Sequence, residues 1–357
     1  MRGLATGEQS SSSNPILQLF CRSAGFLADL DNGTFLIEDI HDPDAAASTV
    51  VASTPFAAGH KLGTGRYVIP TGATTLWSQG THRAVCTYQM AAGGPTYKQI
   101  IEFEVLDEVA WPTGFAFKSY VSTRQCIADG VVGASYSLTT AQRFLDLGAD
   151  QIEQWTGRHF EPRYLHVVRE GQEHPTLFLN EAIIALEDVY SIWQTASGTD
   201  TYKYEQYLYK VFNRHLDGYT AEDDRYRPRL TLTAVDGVVA KVTNFAWPSG
   251  NQNIQLRGVF GFTDPMPDYA AGQVNIGRTP NEIAYVNALL LSRFARSFDM
   301  GDMGIHQPGR VKSARTDQQA IAFASNSGSS AFSTPSGDPI IDNILRKYRA
   351  PLVFAAV

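Results

Sequence analysis

The hydrophobic period of this chain changes from strand-like to helical near Trp111, and that change limits what it can fold into. From Pro15 to about Asp107, short apolar runs (16–21, 34–40, 65–70, 82–90 and 98–106) are separated by turn residues, which is the spacing of an all-β segment. In the last run Ile101, Phe103 and Val105 alternate with Glu102 and Glu104, as a strand with one wet face requires. Asp31-Asn32-Gly33 and Gly93-Gly94-Pro95 carry the turn chemistry of hairpins. Near Trp111 the period lengthens. Between Ser137 and Trp155, Ala141, Phe144, Leu145, Gly148, Ile152 and Trp155 recur at three- and four-residue steps, which predicts an amphipathic helix. Thr139 with Gln142 reads as its capping box, and Gly157 lies where a left-handed residue closes a helix.

A shorter helix is expected over 124–128, with Thr123 as cap and Gly130 as stop. Strand-like pieces at 164–169, 177–179, 185–193, 229–232 and 254–260 suggest a small antiparallel sheet. Thr279-Pro280-Asn281-Glu282 combines an N-cap, a proline at the first helical position and a returning carboxylate. The helix that follows runs to about Phe298, with Ile283, Val286, Leu290 and Phe294 on one stripe.

The ends differ from this body. Residues 1–13 are Ser- and Gly-rich and are expected to be a flexible leader. Residues 301–337 hold few large apolar groups and read as an arm. The arm ends in a capped helix over 338–349 that aligns Ile341, Ile344, Leu345 and Tyr348, and a helix this short needs a surface to dock on. The fold expected is α+β and multidomain. A β-sandwich of immunoglobulin type covers 14–107, a helical domain with an inserted small antiparallel sheet covers 108–300, and an extended arm covers 301–357.

Charge and composition exclude several functions. The 357 residues carry a formal charge of -7, so a grip on nucleic acid through a basic face is not expected. Only residues 301–357 are basic, with 6 Lys and Arg against 4 Asp and Glu. The three cysteines, Cys21, Cys86 and Cys126, lack CxxC spacing and fit a reducing compartment. No run of 18 apolar residues and no apolar leader occurs, so neither a spanning helix nor a signal peptide is expected.

Chemistry is equally sparse. There is no GxSxG elbow and no HExxH, and the eight histidines are scattered. Asp29, Asp31 and Asn32-Gly33 resemble the opening of a calcium loop without its later ligands. Asp223-Asp224 beside Arg225 and Arg227 could be a carboxylate pair or a metal site, but reads more simply as an ion-paired loop. No enzyme, cofactor or metal is expected.

The stretch from Tyr120 to about Phe298 resembles the head-to-tail connector (adaptor) proteins of tailed bacteriophages. The wording that carries the likeness is Thr139-Thr140-Ala141-Gln142-Arg143-Phe144-Leu145 opening a helix that closes on Ile152-Glu153-Gln154-Trp155-Thr156-Gly157-Arg158-His159-Phe160. An Ile-Val-rich run from Ile183 to Trp193 follows, then Asn213-Arg214-His215-Leu216, Asp224-Arg225 and Pro228. Trp247-Pro248-Ser249-Gly250, Gly258-Val259-Phe260-Gly261-Phe262 and the ending Ile344-Leu345-Arg346-Lys347-Tyr348-Arg349-Ala350-Pro351 complete it.

This resemblance implies a structural virion protein of the neck, made in the host cytoplasm. Its copies form a ring, twelvefold in the family, that joins the portal protein to the tail-side neck, stopper or tail protein, and genomic DNA passes through without specific binding. No membrane is implied. Phe144, Ile152, Trp155, Ile283, Val286, Leu290 and Phe294 would build the ring helices. In the arm, Ile341, Ile344, Leu345 and Tyr348 would fill a portal groove while Arg346 and Arg349 pair with portal carboxylates, the bland alternative being that the arm packs on its own subunit or its neighbour. The β-rich N-terminal segment departs from a minimal adaptor and resembles immunoglobulin-like modules added to phage structural proteins. A rival reading is an accessory adhesive or stopper module that uses this segment to bind a partner.

Overall fold

A computed structural model describes residues 2–5, 8–23, 25–72, 77–106, 118–133, 136–195, 198–217, 223–233, 246–265, 276–299, 313–316, 319–322, 336 and 338–350. The first half holds β1 (Arg2–Ala5), β2 (Gln18–Phe20), β3 (Arg22–Ser23), β4 (Phe26–Leu27), β5 (Asn32–Asp39), β6 (Ser48–Pro55), β7 (Lys61–Gly63), β8 (Arg66–Val68), β9 (Gly80–Gln89) and β10 (Tyr97–Leu106). Next come α1 (Thr123–Ala128), α2 (Leu138–Thr156), β11 (Arg163–Gly171), β12 (Thr176–Phe178), β13 (Ile183–Thr195), β14 (Gly198–Lys203), β15 (Tyr209–Val211), β16 (Arg229–Leu232) and β17 (Gly250–Phe260). The chain closes with α3 (Asn281–Asp299), β18 (Ser313–Thr316), β19 (Gln319–Ala322) and α4 (Pro339–Tyr348). The fold is mixed α+β with sheet predominating.

In the N-terminal part a five-stranded sheet, ordered β1-β10-β9-β5-β6, faces a three-stranded sheet, β2-β8-β7. Leu19 and Tyr67 from the small sheet share one core with Phe35, Ile37, Tyr88 and Phe103 from the large one. Several expectations fail here. Residues 2–5 are not a flexible leader. They pair in parallel with residues 103–106 and bury Leu4 completely. Ser10, expected in the same leader, is buried too; its amide donates to Thr71 Oγ1 at 3.0 Å and its hydroxyl accepts from Leu17 N at 3.0 Å. One buried leucine and the backbone pairing with β10 outweigh the polar composition.

Asn32-Gly33 opens strand β5 instead of turning a hairpin. A Cβ on Gly33 would sit 2.7 Å from the Tyr88 Cβ across the sheet, so glycine is needed there for close approach. The boundary at 107 is also too simple. β3 and β4 leave the N-terminal sheets and join the second one, where Phe26 pairs in parallel with Leu186 of β13. Arg22, buried, donates through Nε to the Ile184 carbonyl at 2.9 Å.

Glu104, placed on the wet face by alternation, is fully buried. Thr123 N (3.0 Å), Thr123 Oγ1 (2.9 Å) and Thr81 Oγ1 (2.9 Å) all donate to it, which ties β10 and β9 to the first turn of α1. Burial pushes its carboxyl from the ordinary 4.5 up to about 7, with Glu102 adding to the rise. A carboxyl raised on folding favours the folded state fully below its unfolded pKa, and that contribution is lost as the pH climbs through the folded value. The chain is therefore expected to be less stable at pH 8 than at pH 5 by about 1–3 kcal/mol from this group. Glu104→Gln should flatten that dependence in urea melts at the two pH values. Equal slopes in both proteins would show that Glu104 does not titrate between them.

The expected small antiparallel sheet is two sheets. One is ordered β11-β17-β13-β4-β3 with β14 added on β13, and the other is β12-β16-β15. They share a core built on Leu186, Leu230, Trp247, Ile254 and Phe260. Within the expected arm, residues 313–316 and 319–322 pair as an antiparallel hairpin.

Candidate functional site

Three helices meet where the sequence places its ring and partner residues. α2 starts two residues earlier than its expected box: Ser137 caps it, accepting from Thr140 N at 3.4 Å. It ends on Gly157 in the left-handed conformation, φ 68°, as that residue's freedom allows. α3 does not use the expected Thr279 cap. Thr279 Oγ1 donates to the Phe160 carbonyl at 2.9 Å, and the Pro280 carbonyl accepts the first helical amides, Ile283 N (3.0 Å) and Ala284 N (3.1 Å).

The two helices touch closely at Gly148. A Cβ there would lie 2.6 Å from Asn287 Nδ2 and 3.3 Å from Leu290 Cβ. Gly148→Ala is therefore expected to cost about 1–3 kcal/mol by overpacking, although the same change favours an isolated helix; thermal melting checks the sign. Asn287 bridges the crossing: Nδ2 donates to the Leu145 carbonyl and Oδ1 accepts from Tyr120 N, both at 2.9 Å. Ile152, Ile283, Val286 and Leu290 are buried between the helices, with Trp155 and Phe294 at the margin. Phe144 is half-buried, its ring centroid 5.7 Å from that of Phe294.

α4 docks on α2 and α3 of its own chain. Ile341, Leu345 and Tyr348 are buried in the same cluster as Ile152 and Val286, and Ile344 packs on its rim. This corrects the expectation that these residues fill a partner's groove. The reason is the stripe itself: an apolar face at helical spacing is drawn to whichever apolar surface is nearest, and the α2–α3 seam belongs to the same molecule. Asp338 caps α4, accepting from Ile340 N at 2.8 Å. Glu282, expected to fold back on its own helix, instead accepts from Lys347 Nζ (2.7 Å) and Tyr348 Oη (2.8 Å). Ala350 N donates to the Thr156 carbonyl at 2.8 Å, so the end of α4 satisfies the end of α2. Arg346 and Arg349 are exposed.

Beside the helices Glu153 gathers donors. Tyr120 Oη (2.6 Å), Arg163 Nη2 (2.6 Å) and Lys118 Nζ (3.2 Å) all reach it. These partners, with His159, hold its carboxyl well below the usual range despite burial. The contacts of Tyr120, Glu153 and Asn287 escaped the sequence reading, and Glu282 was read only as a capping carboxylate. Asn287 alone left a local sign, a polar residue inside an apolar stripe; the others find partners far along the chain.

The carboxylates considered for chemistry are neutralised. Arg214 grips Asp224 through Nη2 (2.8 Å) and Nε (3.0 Å), and Arg225 grips Asp223 through Nη2 (2.7 Å) and Nε (2.8 Å). Bidentate guanidinium pairing of this kind leaves little capacity for a metal or a proton. Asp29 is likewise engaged, accepting from Lys61 Nζ (2.6 Å) and Gly65 N (2.9 Å). His215 is buried, which lowers its pKa to about 4 and keeps the imidazole neutral. Among the described residues no cluster of His, Cys, Asp and Glu could hold a metal ion, and no helix is long and apolar enough to cross a membrane. Cys21, Cys86 and Cys126 are free and buried.

No protein-family model matches this chain, and no curated protein matches it either.

Proposed function

We propose that this chain is a structural virion protein, an adaptor whose copies form a head-to-tail ring between the portal and a tail-side neck, stopper or tail protein. The ring continues the channel through which genomic DNA passes. The reading rests first on the connector-like wording of the sequence. The structural observation that supports it best is α4, a ten-residue helix anchored by one apolar face while Ile340, Asn343, Arg346 and Lys347 remain exposed. In this reading the partner meets that outward arc and Arg349, and the apolar stripe serves as the anchor. In this reading the N-terminal sheets are the immunoglobulin-like β-sandwich and residues 108–300 the adaptor domain.

Ring closure needs apolar patches on each subunit that meet different patches on the next. Leu147 on α2 and Tyr285 on α3, 44% and 51% exposed, are suited to that role. The acidic body suits a channel that DNA must leave, because a phosphate-binding lumen would retain it.

The test uses the full chain. Purified protein is expected to form rings under negative stain, and a chain that stays monomeric at high micromolar concentration overturns the reading. The charge reversal Arg346→Glu, at an exposed position, should reduce attachment to portal particles by roughly tenfold or more, as expected on losing a charge-assisted pair, while melting and ring formation stay as in wild type. Undiminished attachment would remove the arc from the portal interface.

A further inference from the structure

We propose that the outward face of the small sheet β12-β16-β15 receives the acidic loop 42–47 of a second copy of this chain, as a head-to-tail joint of the ring. Alternation along the strands builds this face. Leu177, Tyr209, Val211, Leu230 and Leu232 turn inward to the core. Their neighbours therefore turn outward: Thr231 between Thr176 and Lys210, and Arg229 opposite Phe178. Phe178 is 54% exposed. An open aromatic ring beside arginine is the composition of a protein interface core.

The charge of the face is fixed in place. Lys210, Arg214 and Arg229 stand around the Phe212 ring, 5.5, 5.1 and 4.0 Å from its centroid. Stacking on a ring holds a cation without cancelling its charge. Arg229 Nη1 also donates to the Arg227 carbonyl at 3.1 Å, which brings the exposed Arg227 to the same patch. Among the described residues the carboxylate these cations reach is Asp224. It is buried beneath them, 2.8 Å from Arg214 and 3.8 Å from Arg229, and offsets one charge from inside. Asp223 is held by Arg225. Lys210, Arg227 and Arg229 are left to meet an anionic surface.

The chain itself carries that surface. Between Arg22 and Lys61 there is no Lys or Arg, and the acids are Asp29, Asp31, Glu38, Asp39, Asp42 and Asp44. Asp29 and Glu38 are paired with Lys61 and Arg83. Asp42 and Asp44 are exposed at the connection of β5 to β6, where Asp42 Oδ1 accepts from Asp44 N at 2.9 Å and so keeps both carboxylates on one turn. The exposed Ala45, Ala46 and Ala47 that follow are small enough to lie against the Phe178 ring. A second acidic surface, at Glu187 and Asp188, is already balanced by Arg66 and Lys203. Loop and face belong to different sheets, and both are exposed in one copy, so neither covers the other. Their contact joins two different surfaces of two copies; repeated, it propagates head to tail and can close a ring. The inference thus deepens the ring reading and rests on it.

The test is a charge swap in the full-length chain, read by sedimentation and negative stain. One variant carries Lys210→Glu with Arg227→Glu and the other Asp42→Lys with Asp44→Lys, all at exposed positions, and both should melt as wild type does. Each alone is expected to need roughly tenfold more protein to form rings, because like charges then meet at the joint. An equimolar mixture should recover wild-type assembly: the lysine loop of one variant meets the glutamate face of the other, and the two native surfaces meet at the next joint. Where a double reversal lowers the melting temperature, the single changes Arg227→Glu and Asp44→Lys decide in the same way. Rings from either variant alone at the wild-type concentration overturn the joint and leave the ring reading standing. A mixture of folded variants that does not recover overturns the pairing of these two surfaces. A face variant that assembles normally but loses binding of a short single-stranded oligonucleotide gives the face to nucleic acid and overturns the joint. Mixed rings that bind no portal uphold the joint and overturn the portal role, and a wild-type chain that stays monomeric overturns both.

Discussion

Removing everything after Met300 is expected to unfold the α2–α3 hub, not merely to take away an arm. Ile341, Leu345 and Tyr348 lie at 0%, 3% and 8% exposure inside the cluster that holds Ile152 and Val286. Each such side chain contributes about 1.5–3 kcal/mol by burial, and the sum is comparable with the total stability of an ordinary domain, about 5–15 kcal/mol. The cut also leaves the Thr156 carbonyl and the Glu282 carboxylate without their partners. Near-UV circular dichroism and limited proteolysis should show a loosened hub, with cleavage in α2 or α3. The milder Leu345→Ala should lower stability by about 2–5 kcal/mol. A truncated chain that melts cooperatively at the wild-type temperature would show α4 to be an appendage. Loss of portal attachment after truncation therefore says little about the interface, which is why the charge reversal on the exposed arc is the sharper test.

Glu153→Ala is expected to have the next largest effect. Its carboxylate is the common acceptor for Tyr120, Arg163 and Lys118, and Arg163 is itself largely buried, with 14% side-chain exposure. Without it Arg163 would keep only Glu161, at 3.0 Å, and Lys118 only Asp150 as ion-pair partners, so the cost is at most that of breaking a buried pair outright, about 3–5 kcal/mol. The pH dependence has the opposite sign to that of Glu104. A carboxyl whose pKa is depressed by folding stabilises the native state above its unfolded pKa, and that stabilisation drains away as the pH falls below it. Wild-type protein should thus lose stability steadily below the ordinary carboxyl pKa of 4.5, and the Ala variant should lose less over the same range. Denaturant midpoints at pH 7 and pH 3.5 separate the two, and identical losses would mean that Glu153 does not carry the acid sensitivity.

Both effects come from contacts between residues far apart in the chain, and this marks where the sequence stopped being informative. Strands β9 and β10, the helix ending at Gly157 and the cap at Asp338 could be read directly, because periodicity, caps and turn residues act within a few positions of one another. The apolar stripe of α4 was also plain, since three buried residues at helical spacing leave an unmistakable pattern.

What covers that stripe was not legible, because a stripe specifies only that something apolar must meet it. The same limit explains Glu104. Alternation placed it on a wet face, yet its partners lie on another strand and on α1, and no local rule says that a helix will be laid over that face. It also explains the crossing of residues 22–27 into the second sheet, where Arg22 meets a carbonyl 162 positions away. Local chemistry chose the elements of this protein. Which surfaces meet was settled by long-range packing, because burial depends on what lies opposite a residue in space and not on its neighbours along the chain.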